Sequence, residues 1–158
     1  MKPMKSLIKT AALLLIASII TLPAFSTGIQ DDVRTIEVTG MDNLKYDITL
    51  IEASPGETIR LVFKVDSNVP PQAMSHNIAI LPQDMDKDGF VMASMGAGDN
   101  EYIAPDYEEQ LIAYTEMIGG GETSTVEFTV PETAGDYDFI CTFPGHYQGG
   151  MVGILRVK

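Results

Sequence analysis

The sequence predicts an all-β fold, an antiparallel sandwich or barrel with one short helical excursion, and three observations carry that expectation. From Thr35 onward, short segments rich in Val, Ile, Thr, Tyr and Phe alternate with clusters of Gly, Pro, Asn and Asp, as strands alternate with turns. The segment Thr58 to Val65 has a period of two: Ile59, Leu61, Phe63 and Val65 share one face, Thr58, Arg60 and Lys64 the other, and Val62 is the exception. At 158 residues, with 45% hydrophobic and 20% charged residues, the chain suits one domain with a real core rather than disorder or several membrane spans.

Taken in order, residues 1 to 26 carry Lys2, Lys5 and Lys9, an apolar run from Ala11 to Leu22, then Pro23 and Ala24-Phe25-Ser26. This reads as a secretory signal peptide cut near Ser26, since the apolar run is shorter than the roughly 20 residues a spanning helix needs. The alternative is an N-terminal membrane anchor; no cysteine near the cut offers a lipid attachment point. Residues 27 to 158 form the domain. Its first strands are expected at Thr35 to Thr39 and Tyr46 to Glu52, followed by a turn at Ser54-Pro55-Gly56-Glu57 and then the strand from Thr58. Pro70-Pro71 breaks regularity before a short strand, Ile78 to Leu81. Asp84 is expected to cap a helix carrying Met85, Val91, Met92 and Met95, methionines that read as packing. An acidic excursion from Asp99 to Glu109 precedes strand character at Leu111 to Thr115, Gly119-Gly120-Gly121 turns the chain, and Thr123 to Val130, Asp136 to Cys141 and Val152 to Val157 complete the sheet.

Beyond residue 26 the chain holds 7 Lys and Arg against 22 Asp and Glu, a net of −15. Such a field repels nucleic acid and anionic membranes and favours basic partners, chiefly through association rate and with strong salt dependence. An exported chain with a single cysteine cannot form an internal disulfide, so the thiol of Cys141 must be occupied by burial, by an intermolecular bridge or by a metal.

The neighbours of that cysteine favour the metal. Cys141-Thr142-Phe143-Pro144-Gly145-His146-Tyr147-Gln148-Gly149-Gly150-Met151 gathers a thiol, an imidazole and a thioether, and His76 supplies the second imidazole. A soft thiolate, two imidazoles and a long axial thioether make a site tolerable to both Cu(I) and Cu(II), so little moves on redox. Pro144-Gly145 suits a type II turn that folds the loop so that Cys141 and His146 meet one ion, and Gly149-Gly150 gives freedom to place Met151. Asn77 is positioned to hydrogen-bond the cysteine loop. The set Cys141, His146 and Asn77 also matches a cysteine hydrolase by residue type, but there the partners come from separate segments around a cleft.

Met74-Ser75-His76-Asn77, the helical excursion, Leu111-Ile112-Ala113-Tyr114, Ile118 to Glu122 and Cys141 to His146 resemble, in order, the blue copper proteins, the cupredoxins, and among them the azurin and auracyanin group. The resemblance runs from about Met41 to Lys158. It implies an eight-stranded Greek-key β-sandwich or barrel and one type 1 copper per chain at His76, Cys141, His146 and Met151, with Ser75, Asn77 and Phe143 around the ligands. It also implies electron transfer through the His146 edge, within an apolar docking patch of Met41, Met74, Phe143 and Pro144. Four residues separate His146 from Met151, as in auracyanins and plastocyanins, where azurins have three. Ser75 stands where azurins have a glycine, leaving open a fifth contact from its carbonyl; Ile78 replaces a tryptophan, and the azurin disulfide is absent. The expectation is a soluble, exported, periplasmic, monomeric carrier of single electrons between redox proteins, with basic cytochrome-like partners and no enzymatic activity. The alternative is a periplasmic copper-trafficking or storage protein, prompted by export and the seven methionines beyond residue 26.

Overall fold

The computed structural model describes residues 33–158, where short apolar-alternating segments pair into two sheets; the expected signal peptide lies outside the described residues. In chain order the elements are β1 (Arg34–Met41), β2 (Lys45–Tyr46), β3 (Leu50–Ala53), β4 (Thr58–Asp66), β5 (Ala79–Ile80), α1 (Lys87–Ser94), α2 (Pro105–Glu108), β6 (Ala113–Tyr114), β7 (Thr123–Thr129), β8 (Gly135–Ile140) and β9 (Val152–Val157). One sheet has the order β2-β1-β4-β7, the other β3-β9-β8-β5-β6. Most pairs are antiparallel, as the hairpin-like spacing predicts, but β1 lies parallel to β4 and β3 parallel to β9. A parallel neighbour needs a crossover, and the chain between β1 and β4 supplies one by passing through the opposite sheet as β3.

That passage explains why the expected strand from Tyr46 to Glu52 is two strands, which raises the implied eight strands to nine. Asp47 makes the corner: its carboxylate accepts the N–H groups of Thr39 and Ile48 at 2.7 and 2.8 Å. Beyond it, Thr49 accepts from the N–H of Ile154 on the second sheet. Strand β4 behaves as its period requires, with Ile59, Leu61, Phe63 and Val65 buried and Val62 partly exposed. They meet Tyr137, Phe139, Leu155 and Val157 from the other sheet, each fully buried large side chain contributing roughly 1.5–3 kcal/mol. Tyr46 bridges the layers, its ring centroid 6.1 Å from Phe63 and 5.3 Å from Phe139.

Ile78-Ala79-Ile80-Leu81 shows no alternation because both faces are covered. Ile78 and Ile80 enter the inter-sheet core, whereas Ala79 and Leu81 pack under the excursion with Phe90, Val91 and Ile103. The helix begins two residues later than expected. A turn at Pro82–Met85 occupies Asp84, and Asp86 is the cap, accepting the N–H of Gly89 at 3.1 Å. Of the three methionines expected to pack, Met85 does so against the cluster under the excursion, whereas Met92 is 68% exposed and Met95 42%. The excursion also holds a second helical turn, α2, with Pro105 at its start and Asp106 and Glu108 in its first turn, a start signal present in the sequence. Among the described residues, no helix is long and apolar enough to cross a membrane.

Candidate metal centre

Strand β8 alternates Tyr137, Phe139 and Cys141 into the core, so the thiol leaves the sheet fully buried. The N–H of Cys141 donates to the carbonyl of Met151 at 3.2 Å, closing the mouth of the loop between β8 and β9. Inside it, His146 N–H donates to the Phe143 carbonyl at 3.0 Å while Gly145 has φ +86°, the positive φ that position i+2 of a type II turn requires. Three more backbone bonds wind the rest: Gly149 to Gly145 at 2.9 Å, Gly150 to Tyr147 at 2.9 Å and Met151 to His146 at 3.0 Å. His76 arrives from a segment 65 positions before Cys141. It is held by a two-bond bridge with Ile118, its N–H donating at 2.9 Å and its carbonyl accepting at 3.0 Å.

These segments bring Nδ1 of His76, Nδ1 of His146 and Sγ of Cys141 within 4.8 Å of one another. The two Nδ1 atoms are 3.1 Å apart, and the sulfur lies 3.9 Å from His76 and 3.5 Å from His146. Met151 is completely buried beside them: a Cβ on Gly40 would lie 3.1 Å from its methyl and 3.3 Å from Cβ of His76. Facing nitrogens and a thiol in an apolar interior are donors without a common acceptor, and a soft cation fits that set.

A family model for copper binding proteins of the plastocyanin/azurin family matches residues 33–158. The chain belongs to that family, the cupredoxins. Azurin-1 of Alcaligenes xylosoxydans xylosoxydans is 35% identical over 129 residues, 78% of this chain and 96% of the azurin. Outer membrane protein H.8 of Neisseria gonorrhoeae is 35% identical over 111 residues, 69% of this chain, and the match spans 60% of that protein's length. Among solved structures, dithionite-reduced auracyanin from the photosynthetic bacterium Roseiflexus castenholzii superposes with a TM-score of 0.70 at 35% identity, covering 78% of this chain and 96% of the auracyanin. As a cupredoxin, the protein carries one type 1 copper per chain, and the buried trio fits it.

The cupredoxin interior sets the electrostatics of the donors. Burial pushes the Cys141 thiol up to about 12, opposed by the backbone N–H groups of Asn77 and Phe143 at the sulfur. Burial, and then the neighbouring His146, hold His76 down to about 4, while the Asp42 carboxylate acts in the opposite sense. Burial also lowers His146. Both imidazoles are therefore neutral at pH 7, ready as nitrogen donors, whereas the thiol must lose its proton to bind. Nε2 of His76 is buried without a hydrogen-bond partner among the described residues.

Asn77 bonds the cysteine loop through both atoms of its amide. Its Nδ2 donates to Thr142 Oγ1 at 2.8 Å and its Oδ1 accepts the Thr142 N–H at 2.9 Å, tying the His76 segment to the cysteine loop. Ser75 is turned away, its hydroxyl donating to the Pro71 carbonyl at 2.7 Å and fastening the turn at Pro70–Met74. The Phe143 ring lies 4.6 Å from that of His146 and 5.3 Å from Tyr102. Met41, Met74, Phe143 and Pro144 are all half-buried, and Phe143 is the one of them whose ring packs against a donor. Sequence reasoning missed Thr142, which its place beside the cysteine could have flagged. It also missed Tyr46, whose hydroxyl donates to the Asn77 carbonyl at 2.7 Å from a strand with no motif around it.

Proposed function

We propose that this cupredoxin is an exported, monomeric one-electron carrier. In this reading His76 and His146 bind copper through Nδ1, Cys141 through its thiolate and Met151 as the weak axial donor. The observation that carries it is the exposure of the four side chains: His76, Cys141 and Met151 are wholly buried, and His146 alone keeps a 5% edge at the surface. Copper bound there supplies a centre that changes charge by one with little rearrangement. The chain's part is to hold the donors rigidly, exclude water and offer a single short route out through His146, flanked by Phe143 and Pro144. Residues 1–26 act as the export signal and residues 27–158 as the carrier domain. The acidic surface favours basic redox proteins, cytochrome-like in charge, as partners.

The same burial weighs against other readings. A hydrolytic cysteine needs access and a lowered pKa, and Cys141 has neither. A trafficking site needs donors open to exchange, and these are enclosed. Adding Cu(II) to the purified protein tests the proposal: an intense blue absorption, a reversible one-electron wave and copper retained against a chelator are the expected results. Cys141→Ser abolishes the colour, and Met151→Leu keeps it while raising the potential. A Cys141→Ser protein that stays blue, or copper lost within seconds, refutes the carrier.

A further inference from the structure

Among the described residues there are seven Lys and Arg side chains. Six of them, Arg34, Arg60, Lys64, Lys87, Arg156 and Lys158, pair with a carboxylate, as an acid-rich surface leads one to expect. Lys45 does not. From β2 it reaches across to the other sheet's ligand loop, where Nζ donates to the carbonyls of Gly149 at 3.2 Å and Gly150 at 2.8 Å. The N–H groups of Gly149, Gly150 and Met151 are already used inside the loop, so the ammonium caps two outward carbonyls directly before Met151.

A second contact comes from the same hairpin tip. Leu44 has φ +59°, a left-handed conformation costing a non-glycine residue roughly 1–2 kcal/mol, which persists where the surroundings enforce it. That conformation lays Leu44 on Gly149, where a Cβ would be 2.5 Å from Leu44 Cδ1. Gly150, at φ +88°, has Lys45 Nζ 2.4 Å from where its own Cβ would stand. Both glycines therefore admit the β1–β2 hairpin to the loop, a role beyond the freedom their sequence suggests.

We propose that Lys45 is a positioning residue that clamps the Gly149–Gly150 backbone and thereby fixes Met151 under the copper. The inference rests on the ligand set proposed above. The clamp acts through the loop, so its loss loosens the axial donor. Copper-loaded full-length protein with Lys45→Met, Lys45→Arg and, as a control on the same sheet, Lys64→Met tests it. Two quantities are read: the rate of copper loss to a chelator, and the ratio of the secondary absorption to the main blue band, which reports the axial contact. Lys45→Met remains blue, changes that ratio and releases copper at least tenfold faster, 1.4 kcal/mol by the usual conversion. Lys45→Arg, which keeps charge and donors, restores both, and Lys64→Met leaves both unchanged. A blue wild type whose Lys45→Met variant matches it in spectrum and release overturns the clamp alone, as does an equal effect from Lys64→Met. A wild type that never turns blue overturns the ligand set and the clamp together.

Discussion

Replacing Asn77 by leucine, close to it in size and shape, removes the polar link between the two halves of the centre. Asn77 is fully buried and Thr142 is 1% exposed, so no water replaces the lost partners. The orientation of the amide is not in question, because the Thr142 N–H can only donate and therefore faces Oδ1. The substitution breaks the bonds at 2.8 and 2.9 Å and strands the Thr142 N–H in the interior. An unsatisfied buried donor costs about 1–3 kcal/mol and the side-chain bond about 1 kcal/mol more, partly offset by the apolar surface gained. The copper-free protein should lose about 3 kcal/mol of stability. For a domain of this size that is roughly 10 °C in Tm. Urea unfolding of the copper-free wild type and Asn77→Leu, with Thr142→Val and the double variant completing a cycle, measures the loss. The cycle isolates the coupling between the two side chains, expected at about 1 kcal/mol. A loss below about 1 kcal/mol, or a coupling indistinguishable from zero, refutes the claim that this link holds the two segments together.

The copper-free protein should also weaken in mild acid. With His76 held at about 4 when folded and near its ordinary 6.5 when unfolded, the unfolded chain binds the proton first, so stability is complete above pH 6.5 and drains away as pH falls toward 4. By about pH 5, before most carboxylates titrate, the loss from His76 is about 2 kcal/mol, and the lowered His146 adds to it in the same direction. Urea midpoints compared at about pH 7.5 and pH 5 check this, and equal midpoints contradict it. Gly153→Ala sets a Cβ 2.1 Å from the Phe139 ring directly across the β8–β9 ladder, and should destabilise by about 1–3 kcal/mol. Trimming the ring with Phe139→Leu should then soften the effect of Gly153→Ala; a neutral Gly153→Ala in thermal melts would mean that the ring moves aside freely.

What was legible in the sequence was whatever is written locally. The period of two in β4 and the Pro144-Gly145 turn each depend on residues a few positions apart, and each appears in the structure, whereas the burial of Ile78–Leu81 on both faces is evident only from the packing. Cys141 and His146, five residues apart on one turn, are joined by the same short-range rule. The helix start was misplaced because two aspartates stand two residues apart, and only the turn at Pro82 decides between them. The split at Asp47 was hidden because Tyr46, Ile48 and Leu50 alternate straight through it in the sequence, whereas in the structure the buried phase shifts to Ile51 and Ala53 and leaves Leu50 46% exposed.

The sequence by itself determined the donor inventory: one thiol, two imidazoles and a spaced thioether, residue types that suit copper once the fold gives them a common geometry. Only the tertiary structure decided that His76 Nδ1 lies 3.1 Å from His146 Nδ1, that Asn77 fastens to Thr142, and that Lys45 abandons an abundance of carboxylates for two backbone carbonyls. These contacts join residues 65 to 105 positions apart. No local pattern encodes such pairs, because they exist only once two sheets have packed and the loops at one end have been forced into the same small volume.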